Sequence, residues 1–345
     1  MKEILVLGGA GFIGRNIVEK LLIRGDCNVT AADINEGSNW KELHKNNNYS
    51  KRFNVIQDDF TKLSAFDNFS KSYDEVYMLA AVVGVNRTLQ FPDEVIRVNT
   101  LLTMNTINWI SRNPIKKLLF SSSSENYAGT SDLFNIEIPT SENVPMCIGD
   151  VKHPRWTYAM TKMHGESAFI HSASKHNYDC VVIRYQNIIG PEMGFGHAIP
   201  HIVQRFCDGE SSPFKIYGHD QTRSFCYIDD AVVGTIDAME SENSSGEIYH
   251  IGKQEEISME ELTTYIGELM DYSGKYEAAE TYPGSVSRRC PNIEKAANDF
   301  GYNPQIDWKL AVKLTTEWYK NFFESGNRPV KGGFLPPQDV MNNIK

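Results

Sequence analysis

The chain has no run of about eighteen consecutive apolar residues, so no segment is expected to cross a membrane as a helix. Its six cysteines (Cys27, Cys147, Cys180, Cys207, Cys226 and Cys290) are scattered, with no C-x-x-C pair and no zinc spacing. That argues against a disulfide framework and for a reducing compartment, the cytoplasm. An excess of positive charge is also missing. Lys and Arg number 34 against 44 Asp and Glu, a net charge of -10, so no global field draws the chain to nucleic acid or to an anionic membrane. An anionic small ligand would need a local cluster of arginine or lysine. The nine histidines lack metal-ligand spacing; His153, His164, His171 and His176 read as surface residues, and no catalytic metal is expected. The opening "MKEILVLGG" has Lys2 and a short apolar run, but glycines cut it too early for a signal peptide. Repeats and low-complexity tracts are absent.

What is present is a soluble composition, 41% hydrophobic and 23% charged, over 345 residues: enough for one large domain or two of ordinary size. Strand-like runs at Ile4–Leu7, Val29–Ala32, Asn54–Ile56, Val76–Leu79, Leu118–Phe120 and Val181–Arg184 alternate with helical segments at Gly11–Arg24, Pro92–Arg112 and Tyr158–His176. Such alternation implies an α/β fold, a Rossmann-type doubly wound parallel sheet with helices on both faces. From about Gly190 the rhythm breaks. Helices at Ile199–Asp208, Ser258–Tyr272 and Trp308–Glu324 stand between irregular segments, which suggests a smaller C-terminal α/β region. The expected division is 1–190 for the first domain and 191–345 for the second region. Residues 226–252 return to the first, because "SFCYIDDAVVGTIDAME" reads as a strand and helix rejoining that layer. The tail "KGGFLPPQDVMNNIK" reads as loop.

"ILVLGGAGFIG" sets Gly8, Gly11 and Gly14 between the first strand and the first helix. Glycine there lets the backbone turn tightly and approach a pyrophosphate, which rests on free N–H groups at the helix N-terminus. Asp33 follows at the end of the second strand, where a carboxylate binds both ribose hydroxyls and repels a 2′-phosphate. The cofactor is therefore expected to be NAD rather than NADP. A glycine turn with a surface Asp is the plainer reading, less consistent with the strand before and the helix after. Asp59, after the third strand, either meets the adenine amino group or caps the following helix.

In "WTYAMTKMHGE", Tyr158 and Lys162 are four apart and share one helix face. An ammonium fixed near a phenol favours the phenolate, so Lys162 is expected to lower the Tyr158 pKa toward the range of a general base. A surface Tyr and Lys at helical spacing is the plain alternative. Upstream, "KKLLFSSSSENYAG" ends an apolar strand in four serines, which need partners if buried.

The segments "GGAGFIG", "YMLAAVVGV", "VNT", "LLFSSSSENY", "TYAMTK", "RYQNIIGP", "RSFCYIDD" and "RRCPNIEKA" occur in this order over residues 3–320. Together they resemble the extended short-chain dehydrogenase/reductase family that remodels nucleotide sugars: 4-epimerases, 4,6-dehydratases and hexuronate decarboxylases. The resemblance implies NAD held at Gly8, Gly11, Phe12, Ile13, Gly14, Asp33, Asp59, Leu79, Ala80 and Ala81, with Tyr158 and Lys162 also touching it. It implies catalysis by Ser123, Glu125, Tyr158 and Lys162, and a nucleotide-diphosphate sugar bound by Ser124, Asn187, Arg223 and Arg289. Arg288 is adjacent to Arg289 and could take its place. Glu125 stands where decarboxylases and dehydratases carry an extra acid/base group and simple 4-epimerases usually lack one; a solvated turn carboxylate is the alternative. "PRWTYAMTK" also resembles the decarboxylase segment, with Arg155 and Trp156 before the tyrosine. Two departures stand out: Met78 where many members have His, and Ala128 inserted between Tyr127 and Gly129.

The activity so implied proceeds through a transient 4-keto sugar. A lyase reading, hexuronate decarboxylase or 4,6-dehydratase, comes first, then a 4-epimerase, then a catalytically silent NAD-binding regulator. The family also implies a homodimer paired through Pro92–Arg112 and Tyr158–His176.

Overall fold

All four residues Ile4, Leu5, Val6 and Leu7 of the first strand are buried, the mark of a parallel strand covered on both faces. Ile4 and Val6 pack into one apolar core with Ile17 and Leu21, while Leu5 and Leu7 pack into a second with Val76 and Phe169. Period-two alternation thus sends neighbouring side chains into different layers. The computed structural model describes residues 1–281 and 286–328. The loop expected over 331–345 lies outside the described residues.

The first six strands are β1 (Lys2–Leu7), β2 (Cys27–Asp33), β3 (Phe53–Gln57), β4 (Glu75–Met78), β5 (Lys117–Ser123) and β6 (Asp179–Tyr185). Eight shorter ones follow: β7 (Ile188–Ile189), β8 (Phe214–Tyr217), β9 (Thr222–Ser224), β10 (Cys226–Tyr227), β11 (Ile248–Ile251), β12 (Glu256–Ser258), β13 (Tyr276–Ala279) and β14 (Arg288–Arg289). The helices of the first half are α1 (Phe12–Arg24), α2 (Trp40–Lys45), α3 (Val85–Gln90), α4 (Pro92–Ile110), α5 (Ala128–Leu133) and α6 (Trp156–His176). Then come α7 (Ala198–Cys207), α8 (Ile228–Glu240), α9 (Met259–Leu269), α10 (Glu294–Phe300) and α11 (Trp308–Glu324).

Seven strands form one parallel sheet in the order β11-β6-β5-β4-β1-β2-β3. The order reverses at β1, which opens a crevice at the carboxyl ends of β1 and β4, where ligands settle in such sheets. Helices α1 and α8 cover one face; α4 and α6 cover the other and pack on each other. No helix among the described residues is long and apolar enough to cross a membrane.

The second region is less irregular than expected. It holds a three-stranded sheet ordered β12-β9-β14 and a pair, β8 with β13. The stretch "SFCYIDDAVVGTIDAME" also differs from expectation in part. Its helix α8 does pack on α1, but its strand β10 pairs with β7 and not with the main sheet. Asn187, at φ +30°, turns the chain out of β6, and its carbonyl accepts from the Cys226 N–H at 3.3 Å. The strand that rejoins the main sheet is β11, beside β6.

Candidate active site

The glycine turn sits at the reversal point. Gly8 has φ +88°, and a Cβ there would stand 2.6 Å from the Ala80 nitrogen. A Cβ on Gly14 would meet the Gly8 carbonyl oxygen at 2.1 Å. The loop therefore lies flat on Leu79–Ala81, the chain leaving β4. Phe12 and Ile13 begin α1, whose N-terminus has no side-chain cap and no acidic residue in its first turn. Orphan N–H groups facing an open crevice suit an anionic pyrophosphate, so the residues present fit NAD. The Asp33 carboxylate accepts from the Ala10 N–H at 3.1 Å and the Asn35 N–H at 3.0 Å. Burial raises its pKa, and those amides oppose the rise. Asp59 closes a local turn: its carboxylate accepts from the Thr61 N–H and hydroxyl and pairs with Lys62, while the helical turn that follows, Leu63–Asn68, has no side-chain cap.

Across the crevice, the four serines have partners. The Ser121 carbonyl accepts from Lys162 Nζ at 2.6 Å. Ser122 Oγ donates to Glu166 Oε1 at 2.6 Å and accepts from Asn126 Nδ2 at 3.0 Å. Ser123 Oγ accepts from the Glu125 N–H and is hydrogen-bonded to the Tyr158 phenol. Ser124 Oγ accepts from Arg289 Nη1 at 3.4 Å. Ser123, Tyr158 and Lys162 thus converge where β5 ends beside α6. The Lys162 nitrogen lies 5.7 Å from the Tyr158 ring centre.

One electrostatic expectation is reversed. The Tyr158 pKa is raised by burial, with Ser123 pulling the other way. The ammonium that was to lower it is committed to the Ser121 carbonyl, and burial brings Lys162 itself down to about 7.

Beyond Ser124 the cluster is strongly cationic. Glu125 receives Arg289 Nη1 at 2.6 Å and Arg155 Nη2 at 3.8 Å. Burial pushes its pKa up, but Arg289, Arg155 and Arg223 outweigh burial and hold it below the ordinary carboxylate range. Arg223 falls to about 10 through burial and repulsion from Arg289. Strand register explains the pairing, since Arg289 lies opposite Arg223 across the β14–β9 ladder. It also separates the two candidate arginines. Arg288 points to the other face, where it binds Glu256 at 2.6 and 3.0 Å, so Arg289 alone of the two reaches Glu125. Asn187 Nδ2 donates to the Ser224 carbonyl at 2.9 Å, next to Arg223.

Several residues at this site escaped the sequence reading. Arg155, stacked over Trp156 at 4.9 Å, was marked only as part of a segment. Asn99 grips Val82 through both backbone groups and also reaches Thr161. Glu166 lies on the Tyr158–Lys162 face, one turn further on. Its fourfold spacing was the available signal. Met78, the departure from His, is core, with the Thr106 hydroxyl 3.6 Å from its sulfur. Gly129 fits because a Cβ there would meet the Cys147 carbonyl oxygen at 2.2 Å.

Comparison with known proteins agrees with this fold. The model of the NAD dependent epimerase/dehydratase family matches residues 4–252. A UDP-N-acetyl-alpha-D-glucosaminuronate decarboxylase of Bacillus cytotoxicus is 29% identical over 330 residues, covering 92% of this chain and 98% of the relative. A putative UDP-glucose 4-epimerase of Methanocaldococcus jannaschii is 29% identical over 322 residues, at 92% and 98%. Among solved structures, a UDP-glucuronic acid 4-epimerase from Bacillus cereus in complex with UDP-glucuronic acid and NAD superposes with a TM-score of 0.79. It is 24% identical and covers 93% of this chain and 99% of that one.

Proposed function

The chain belongs to the NAD dependent epimerase/dehydratase family, and from that premise we propose that it is a nucleotide-sugar lyase, a hexuronate decarboxylase. The observation that carries the reading is the contact of Arg289 with Glu125 at 2.6 Å, with Arg155 and Arg223 beside it. Three guanidinium groups around one carboxylate leave net positive charge where a sugar's own carboxylate would bind, and arginine forks suit that geometry.

NAD bound at Gly8–Gly14, Asp33 and Leu79–Ala81 supplies reversible uptake of a hydride from the sugar's C4. The protein's side chains do the rest. Tyr158 in its phenolate form takes the proton of the 4-hydroxyl, Ser123 hydrogen-bonds that oxygen, and Lys162, anchored on the Ser121 carbonyl, stands beside them on the same helix face. At the ketone level of C4, a carboxylate on C5 is a β-keto acid. The C5–C6 bond breaks, its electrons pass to the C4 oxygen held by Tyr158 and Ser123, carbon dioxide leaves and a proton enters at C5. Dehydration would instead need an acid for the departing hydroxyl as well as a base. Glu125 is held ionised and its neighbour is Ser124, so among the described residues this cluster offers no neutral carboxylic acid.

The decarboxylase relative of Bacillus cytotoxicus supports the reading. The runner-up is a 4-epimerase acting on a hexuronate, because the same arginines would hold its carboxylate and Ser123, Tyr158 and Lys162 suffice for it. The proposed division of labour assigns 1–190, with the return at 226–252, to NAD and the remainder to the nucleotide sugar. A homodimer through α4 and α6 belongs to the same proposal; Ile96 and Met104 on α4 are exposed apolar side chains. The deciding experiment incubates the purified protein with NAD and UDP-glucuronic acid, UDP-N-acetylglucosaminuronic acid, UDP-glucose or dTDP-glucose and weighs the products. Loss of carbon dioxide supports the proposal. Unchanged mass with inverted C4 would make it an epimerase, and loss of water a dehydratase.

A further inference from the structure

Strand β5 ends at Ser123 and passes into one helical turn, Ser124–Tyr127, and the residues flanking Ser123–Glu125 bind a single carboxylate. Ser122, immediately before it, donates to Glu166 Oε1 at 2.6 Å. Asn126, immediately after it, donates to the same oxygen at 2.8 Å and closes the turn on Ser122 at 3.0 Å. Glu166 lies eight residues beyond Tyr158 and four beyond Lys162, on the same face of α6. Its charge is balanced by Arg184 from β6, whose Nε and Nη2 reach the two carboxylate oxygens at 2.9 and 2.8 Å. Glu166 and Arg184 are both buried, at 3% and 2% exposure. A buried pair like this is a poor source of net stability, so its place in the core asks for another explanation.

We propose that Glu166 is the positioning residue of the active site, the strut that sets the Ser123–Glu125 turn at its working distance from Tyr158 and Lys162. The inference rests on the proposed function for its catalytic meaning, but the strut itself is a matter of geometry. Lys162 fastens α6 to the Ser121 carbonyl at one point, and Glu166 adds a second tie on either side of Ser123–Glu125, whose Ser123 is, like Tyr158, only partly buried. Arg184 also donates to the Glu142 carbonyl at 2.9 Å, which ties the strut into the loop that leads toward α6. The Glu166 charge has a second effect, since it opposes the burial that weakens Lys162's hold on its proton.

The test compares Glu166→Asp, which keeps the charge but draws the carboxylate back by one methylene, with Glu166→Gln, which keeps the length and removes the charge. Hydrogen exchange of the NAD-bound protein is followed over peptides covering residues 118–130 and, as a reference, residues 4–24. Glu166→Asp is expected to speed exchange in 118–130 and leave 4–24 unchanged. With UDP-glucuronic acid as probe, Glu166→Asp is expected to lower kcat about a hundredfold with little change in KM, the cost of misplacing reacting groups by about 1 Å. In Glu166→Gln the alkaline limb of the kcat profile is expected to move to lower pH, because Lys162 then loses its proton sooner. Ser122→Ala, which deletes the bond to Glu166 and the one from Asn126 but leaves the Glu166–Arg184 pair intact, should show the exchange change in milder form. Unchanged exchange in 118–130 in both Glu166→Asp and Ser122→Ala overturns the inference, as does a Glu166→Asp enzyme with parental kcat. If the parent protein converts no sugar, the proposed function falls and the exchange result alone decides the strut.

Discussion

The Lys162 ammonium donates to the Ser121 main-chain carbonyl at 2.6 Å, which fastens the middle of α6 to the end of β5. The same burial brings Lys162 down to about 7 from the 10.5 of a free lysine, against the opposing pull of Glu166. Between those values the unfolded chain holds the proton more tightly than the folded one, so this group favours folding more as pH rises through that window and least below it. Lys162→Met removes the charge and its pH dependence. Its melting temperature relative to the parent is expected to be higher near about pH 6 than near about pH 9, while sugar conversion falls by roughly 10²–10⁴. Equal offsets at both pH values, from paired thermal melts, would contradict the charge assignment.

Glu125→Gln leaves Arg289, Arg155 and Arg223 with one negative charge fewer between them. Because Glu125 holds these arginines in place around the proposed carboxylate site, loss of carbon dioxide is expected to slow strongly while a transient rise of NADH absorbance persists, since Tyr158 and Ser123 are untouched. Stopped-flow absorbance and product mass together check this; normal turnover would remove Glu125 from the chemistry. Arginine neighbours depress the Glu125 pKa despite burial, so its ion pair is present above the ordinary carboxylate range and is lost only as pH falls through the depressed value. The kcat profile should consequently show no acid limb from Glu125 near neutrality.

Arg288 and Arg289 should behave as strangers. Arg288→Ala breaks an exposed pair with Glu256 and is expected to cost at most about 1 kcal/mol with unchanged turnover. Arg289→Ala removes the donor to Glu125 and Ser124 and is expected to lower kcat/KM by roughly 10²–10³. Steady-state kinetics and melting curves on both variants decide it, and comparable losses in the two would mean that both arginines serve the site.

Gly14→Ala pushes a methyl group to 2.1 Å from the Gly8 carbonyl oxygen, a backbone atom that can move only with the whole turn. Stability is expected to drop by about 1–3 kcal/mol, the usual cost of overpacking, and NAD affinity with it. Calorimetric titration with NAD and a melting curve suffice; an intact NAD site would show that the turn yields more easily than its contacts suggest.

The sheet was readable because parallel strands buried on both faces are continuous apolar runs, as in "EILVL" and "KLLF", and the helices between them are long. The site was readable where its residues are close in sequence, as with Tyr158 and Lys162. Contacts such as Glu125 with Arg289 span 164 residues and left no local trace. Strands β9 and β14 are three and two residues long, too short for a periodic pattern, so their pairing could not be foreseen. The sign of the Tyr158 shift was missed because burial is a property of the assembled crevice, and spacing on one helix does not report it.

Neighbouring residues on a strand face opposite ways, so the arginine presented to Glu125 is chosen by alignment alone. The Thr222 N–H donates to the Ser287 carbonyl at 3.0 Å, and that backbone bond sets Arg289 beside Arg223. A slip of one position would turn Arg289 out to Glu256 and bring Arg288 inward, with every side chain intact. The register of this two-residue ribbon therefore decides which guanidinium the carboxylate meets, although both side chains are present in either case.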